Sequence, residues 1–137
     1  MQPNLDSQAK PIRRVMLVDD DGMDNFLHSR SLKNSGLVDD IIVFEEPEAA
    51  LQYLRQSASD IDLICLDINM PRMNGFEFIT AFETLWDSNR EKPLILILST
   101  SVGEMSAEYV ERIPRLIGAE PKPLNRELIQ RLSREHF

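Results

Sequence analysis

The sequence predicts an α/β fold: a doubly wound, five-stranded parallel sheet with helices on both faces. Three observations predict it. Short apolar runs alternate with longer helix-like stretches five times along the 137 residues. The runs are continuously apolar, as suits strands buried on both faces of a parallel sheet. Two of them, 14–18 and 63–66, end in carboxylates, Asp19-Asp20-Asp21 and Asp67. Crossovers between such strands are right-handed.

The elements follow in order. Residues 1–10 are polar and read as a flexible tail, leaving 11–137 as one folded domain. After strand 14–18, Gly22 loosens the backbone and a helix is expected over 24–34, with Met23, Phe26, Leu27 and Leu32 as its apolar set. Ser35-Gly36 is its stop signal. His28, on this helix, is expected at the surface or the core edge. Residues 41–44 (Ile-Ile-Val-Phe) predict a second buried strand. Pro47 opens a helix to about 56, with Ala50, Leu51 and Leu54 inward. A polar loop over 57–60 leads to strand 63–66.

Beyond Gly75 the periodicity is clearest. Phe78, Ile79, Phe82, Leu85 and Trp86 mark one buried helix face. A solvated loop over 87–92 precedes the central strand 94–98, which runs into Ser99-Thr100-Ser101. Met105, Tyr109, Val110 and Ile113 predict a helix stopped before Pro114. Strand 116–121 contains Pro121, which cannot donate to a ladder, so it is expected at an edge or very short. Asn125 caps a last helix whose inner stripe is Leu128, Ile129 and Leu132.

Composition narrows the function classes. The net charge is −8, which opposes nonspecific nucleic-acid binding, since that needs a basic face. A single cysteine excludes an internal disulfide, and Cys65 lies in an apolar run as a buried, inert thiol. The polar start holds no signal-peptide core, and no stretch reaches membrane-spanning length. A reducing, cytoplasmic setting without a membrane partner is expected. No glycine-rich loop follows the first strand, which speaks against a nucleotide-binding fold.

The carboxylates carry the chemistry. Ligands of open α/β sheets sit at the carboxyl ends of the strands, so Asp19, Asp20, Asp21 and Asp67 are expected at one edge. Like charges raise each other's pKa, and a hard divalent cation with oxygen ligands, Mg2+ where phosphate is handled, resolves that conflict. The plainer alternative has Asp19–Asp21 capping the next helix and Asp67 opening a turn.

At this point four segments coincide. Leu17-Val18-Asp19-Asp20, Leu66-Asp67-Ile68-Asn69-Met70-Pro71 with Gly75, Leu98-Ser99 and Lys122-Pro123 occur in this order and spacing. The chain thereby resembles the response-regulator receiver domains of two-component signalling. The run from Asn69 to Phe78, with the Lys-Pro-Leu before the last helix, resembles the stand-alone receivers of Bacteroidetes-type bacteria. The resemblance implies a flavodoxin-like sheet with strand order 2-1-3-4-5 and a phosphoacceptor switch, not an enzyme. It implies that Asp67 accepts a phosphoryl group from a histidine kinase or histidine phosphotransfer protein, and that a downstream protein partner reads the result. It implies Mg2+ held by Asp20 and Asp67, by the backbone carbonyl of Asn69, and by Asp19 through a water or as a weaker ligand. Lys122 and Ser99 would contact the phosphoryl oxygens, the peptide before Pro123 would be cis, and Met70-Pro71 and Gly75 would shape the adjoining loop. For Lys122 the plain alternative is a surface lysine, and for Thr100 or Ser101 a helix N-cap.

The sequence departs from the family in one place. Many receivers carry a switch aromatic in strand 5, near Ala119 here. The usual partner face, around helix 4, strand 5 and helix 5, is therefore expected to respond differently. A pseudo-receiver that binds without being phosphorylated is the main alternative. A haloacid-dehalogenase-like phosphohydrolase is the second, although its acid/base Asp would fall at Asn69. The length leaves no room for an attached DNA-binding output domain.

Overall fold

In the computed structural model, residues 11–57, 60–85, 93–99 and 111–137 are described. β1 (Ile12–Val18), β3 (Leu63–Asp67) and β4 (Leu94–Ser99) form the centre of a sheet flanked by β2 (Val38–Phe44) and β5 (Leu116–Pro121). All pairings are parallel and the order is β2-β1-β3-β4-β5. The helices are α1 (Gly22–Ser35), α2 (Pro47–Ser57), α3 (Gly75–Leu85) and α4 (Arg126–His136). The predicted fold class and strand order are those observed.

The period-2 pleat of the central strands makes two cores. Met16, Val18, Ile64, Leu66, Ile95 and Ile97 point to one face, where α2 and α3 cover them with Leu54, Phe78, Ile79 and Phe82. Val15, Leu17, Leu63, Cys65, Leu96 and Leu98 point to the other, where Leu32 of α1 and Ile129 and Leu132 of α4 close it. Burial on both faces explains why these strands read as continuous apolar runs. It also pushes the Cys65 thiol up to about 12, so the thiol is inert at neutral pH. No helix among the described residues is long and apolar enough to cross a membrane.

The outer elements correct four expectations. Residues 41–44 lie on an edge strand that begins at Val38, with Val43 exposed and Ile41, Ile42 and Phe44 half-buried. Its pattern is that of an edge, not of a strand buried on both faces. Met23, Phe26 and Leu27 do not form the inner face of α1. They are 64%, 61% and 41% exposed, while Asn25, His28, Leu32 and Ser35 face inward. His28 is buried, not at the surface. Leu85 lies at the exposed end of α3, outside the stripe of Phe78, Ile79 and Phe82.

The punctuation is as read. Gly36 caps α1 in the left-handed region, at φ 73°, and donates its N–H to the Lys33 carbonyl. The Asn125 side chain accepts from the Leu128 N–H at 2.8 Å. β5 is an edge strand with Pro121 at its end. Trp86, Thr100, Ser101, Met105, Tyr109 and Val110 lie outside the described residues, as do the 1–10 tail and the 87–92 loop. Ile113 and Pro114 follow directly on helical residues 111–112, consistent with a helix ending there.

Candidate functional site

The strand registers bring the predicted residues to one edge. Val18 is level with Leu66, so Asp19 and Asp67 follow at neighbouring strand ends. Asp67 is level with Leu98, and Ser99 is level with Pro121. The Lys122 N–H donates to the Ser99 carbonyl at 3.1 Å, joining the ends of β4 and β5. The peptide between Lys122 and Pro123 is cis.

Among the described residues, Asp19, Asp20 and Asp67 each offer a carboxylate oxygen within 4.8 Å of the others. Asp19 and Asp67 are buried and Asp20 is exposed. Lys122 enters from the far side of the sheet. Its Nζ lies 2.7 Å from Asp19 Oδ2, 2.8 Å from Asp24 Oδ2 and 3.2 Å from Asp67 Oδ1. Lys122 is therefore not a surface lysine, because its side chain is only 11% exposed.

Each acidic residue has a distinct local role. Asp21 is the N-cap of α1, accepting from the Met23 and Asp24 N–H groups, so the capping alternative holds for this residue. Asp19 has both oxygens engaged, Oδ1 by the Asp21 N–H at 2.9 Å and Oδ2 by Lys122. The Asn25 Nδ2 donates to the Asp19 carbonyl at 2.8 Å, fixing the turn into α1 from below. This explains why Asn25 displaces an apolar residue from the inner face. Its buried Oδ1 has no hydrogen-bond partner among the described residues.

The electrostatics follow from burial and crowding. The Asp67 carboxyl is pushed up, first by burial and next by Asp19, against the pull of Lys122. Burial works against the Lys122 ammonium, but its hydrogen bonds to Asp19 and Asp24 outweigh it and raise its pKa, so it stays charged. His28 is pushed down by burial and by Lys122, which keeps its ring neutral.

Ser99 is buried at the end of β4 and Asn69 is exposed two residues beyond Asp67. The loop between β3 and α3 is held by Gly75. Its N–H donates to the Ile68 carbonyl at 2.8 Å. A Cβ there would stand 2.8 Å from the Asp67 carbonyl oxygen and 2.9 Å from the Ile68 Cα. Both are backbone atoms, so Gly75→Ala forces the loop and Asp67 to move. Urea unfolding is expected to show a loss of about 2 kcal/mol, and an unchanged midpoint would refute this close approach.

Four residues of the neighbourhood went unread in the sequence. Asn74 and Glu77 form a reciprocal capping box at the start of α3, at 2.9 and 2.8 Å, and their N-x-x-E spacing was the available signal. Asp24 and Asn25 were visible only as members of an apparently irregular helix face.

The fold is the flavodoxin-like doubly wound sheet, with acidic side chains and a lysine gathered at its carboxyl edge, where such sheets bind ligands. The chain belongs to the response regulator receiver domain family, which it matches over residues 15–132. It is a response-regulator receiver domain of the kind used in signalling. It is similar to a two component response regulator from Cytophaga hutchinsonii, with 28% identity, a TM-score of 0.82, and 90% of this chain and 95% of that one covered. A response regulator receiver protein from Dyadobacter fermentans is 34% identical with a TM-score of 0.73, over 87% of this chain and 96% of that one. The transcriptional regulatory protein CpxR of Escherichia coli is 30% identical over 129 residues, 88% of this chain. The chain spans 48% of CpxR's length.

Proposed function

We propose that the chain is a cytoplasmic phosphoacceptor switch, with residues 11–137 as the receiver unit and 1–10 as its tail. In this reading an Asp67 oxygen attacks the phosphorus of a phosphohistidine on a histidine kinase or histidine phosphotransfer protein. The P–N bond breaks, the imidazole leaves with its electron pair, and an aspartyl phosphate forms. The observation that carries this is the placement of Lys122 Nζ 3.2 Å from Asp67 Oδ1 inside a carboxylate cluster.

The residues present fit Mg2+. Oxygen ligands of Mg2+ lie about 2.1 Å from the ion, so carboxylates within 4.8 Å of one another need to close only slightly. Asp20 and Asp67 would hold the ion with the Asn69 carbonyl. Asp19, both of whose oxygens are engaged, would act through a water. When bound, Mg2+ offsets charge on the phosphoryl oxygens. Lys122 supplies the second positive charge to those oxygens, and the Ser99 hydroxyl supplies a hydrogen bond. A downstream protein partner then distinguishes the two states. Met23, Phe26 and Leu27, exposed at the start of α1 beside the site, support recognition by a protein rather than a small ligand.

Intact mass after incubation with acetyl phosphate tests the reading. One phosphoryl group per chain, located on Asp67 and dependent on Mg2+, is expected. A folded, Mg2+-binding protein that gains none would instead be a pseudo-receiver.

A further inference from the structure

We infer that Asp24 is a positioning residue that holds Lys122 toward α1 in the unphosphorylated chain and thereby sets how readily the site accepts a phosphoryl donor. This inference rests on the phosphoacceptor reading above.

The geometry is specific. Lys122 has three carboxylate partners, and Asp24 Oδ2 at 2.8 Å is nearer than Asp67 Oδ1 at 3.2 Å. Asp24 comes from the first turn of α1, whereas Asp67 and Asp19 come from strand ends. The Asp24 side chain is 31% exposed, against 8% for Asp67. The ammonium is thus shared between the phosphorylation edge and the helix above it. A phosphoryl group on Asp67 brings a far stronger acceptor to the same ammonium. Lys122 must then give up part of its bond to Asp24. This competition for one ammonium makes Asp24 a brake on phosphoryl uptake. Helix chemistry alone assigns Asp24 a different part, since an acidic side chain in a first turn stabilises the helix without touching the reaction.

The test measures phosphoryl uptake from acetyl phosphate with Mg2+, by intact mass over time, for wild type, Asp24→Asn and Asp24→Glu. Asp24→Asn is expected to lower the half-saturating acetyl phosphate concentration about fivefold, the scale for releasing the ammonium from one partly exposed ion pair. Asp24→Glu, which keeps the charge, is expected within about twofold of wild type on the same scale. The comparison is repeated with Lys122→Gln, where uptake is slower and is followed for hours. There the effect of Asp24→Asn is expected to shrink to under about twofold, because Asp24 acts through the ammonium. An unchanged half-saturation in Asp24→Asn overturns the inference, as does an effect that survives in full beside Lys122→Gln. If wild type takes up no phosphoryl group, the phosphoacceptor reading fails and this inference with it. If wild type is phosphorylated and Asp24→Asn matches it, only this inference fails.

Discussion

Asp67→Asn is expected to abolish phosphoryl uptake from acetyl phosphate and, in metal-free buffer, to make the fold more stable. The first effect follows from chemistry, because an amide oxygen is too poor a nucleophile to form the acyl phosphate and cannot carry the charge that binds Mg2+. The second follows from the cost of the ionised carboxylate in the resting site. Burial and the neighbouring Asp19 push the Asp67 carboxyl up, more than Lys122 pulls it down. A carboxyl whose folded pKa is raised contributes stability that is complete below its unfolded pKa and is lost as pH rises through the folded value. Asp67→Asn is therefore expected to match wild type below about pH 3.8, the unfolded carboxylate value, and to exceed it at pH 7. The gain at pH 7 is what remains after the attraction of Lys122 is set against burial and the repulsion of Asp19. Urea unfolding in EDTA at several pH values reads it. A variant less stable than wild type at pH 7 would show that Lys122 outweighs the crowding. Adding Mg2+ should stabilise wild type more than the variant.

The sheet was legible because its strands are buried on both faces and so carry long unbroken apolar signals. Strand 63–66, strand 94–98 and the carboxylates that end the first and third strands follow from that pattern alone. The strand order did not follow from periodicity. It came from the family resemblance, as did the part of Lys122, which stands 103 residues from the Asp19 it contacts. Helix α1 was the least legible element. Its first turns lie beside the polar site, so the inward positions are Asn25 and His28, and the apolar side chains Met23, Phe26 and Leu27 are displaced outward. Hydrophobic periodicity assumes an apolar core beneath the helix, and here the first turns cover a charged one. The carboxylate of Asp24, which contacts Lys122, was hidden for the same reason.

The site's lower boundary also bears on the output. Ala119 of β5 is half-buried and packs on the α2/α3 core opposite Ile97. The strand-5 position where many relatives carry a switch aromatic holds a methyl group. Its small side chain has no ring to reorient. Among the described residues, the Lys122 ammonium ties the first turn of α1 to the strand ends at the site.

Lys122→Ala is expected to lower the stability of the metal-free protein by about 3 kcal/mol, the scale for removing one member of a buried ion pair and leaving its partners charged. The substitution leaves Asp19, Asp67 and Asp24 without the ammonium that each contacts within 3.2 Å. Asp19 and Asp67 are buried, so water replaces the lost partner poorly. Three consequences separate this cause from a packing defect. The loss should shrink as the pH falls, because the raised Asp67 carboxyl takes up its proton and ceases to be an unpaired charge. Millimolar Mg2+ should restore part of it, because a cation at the same cluster offsets the same charge. Adding Asp67→Asn should also restore part of it, since it removes one of the charges left unpaired. A packing defect, by contrast, would leave the loss unchanged under all three conditions. The alkyl stem of Lys122 does contribute some buried area, and that share is the part expected to persist. Restoration by charge-neutralising conditions, read from urea midpoints, would show that the lysine proposed to meet the phosphoryl group also holds the resting carboxylates together.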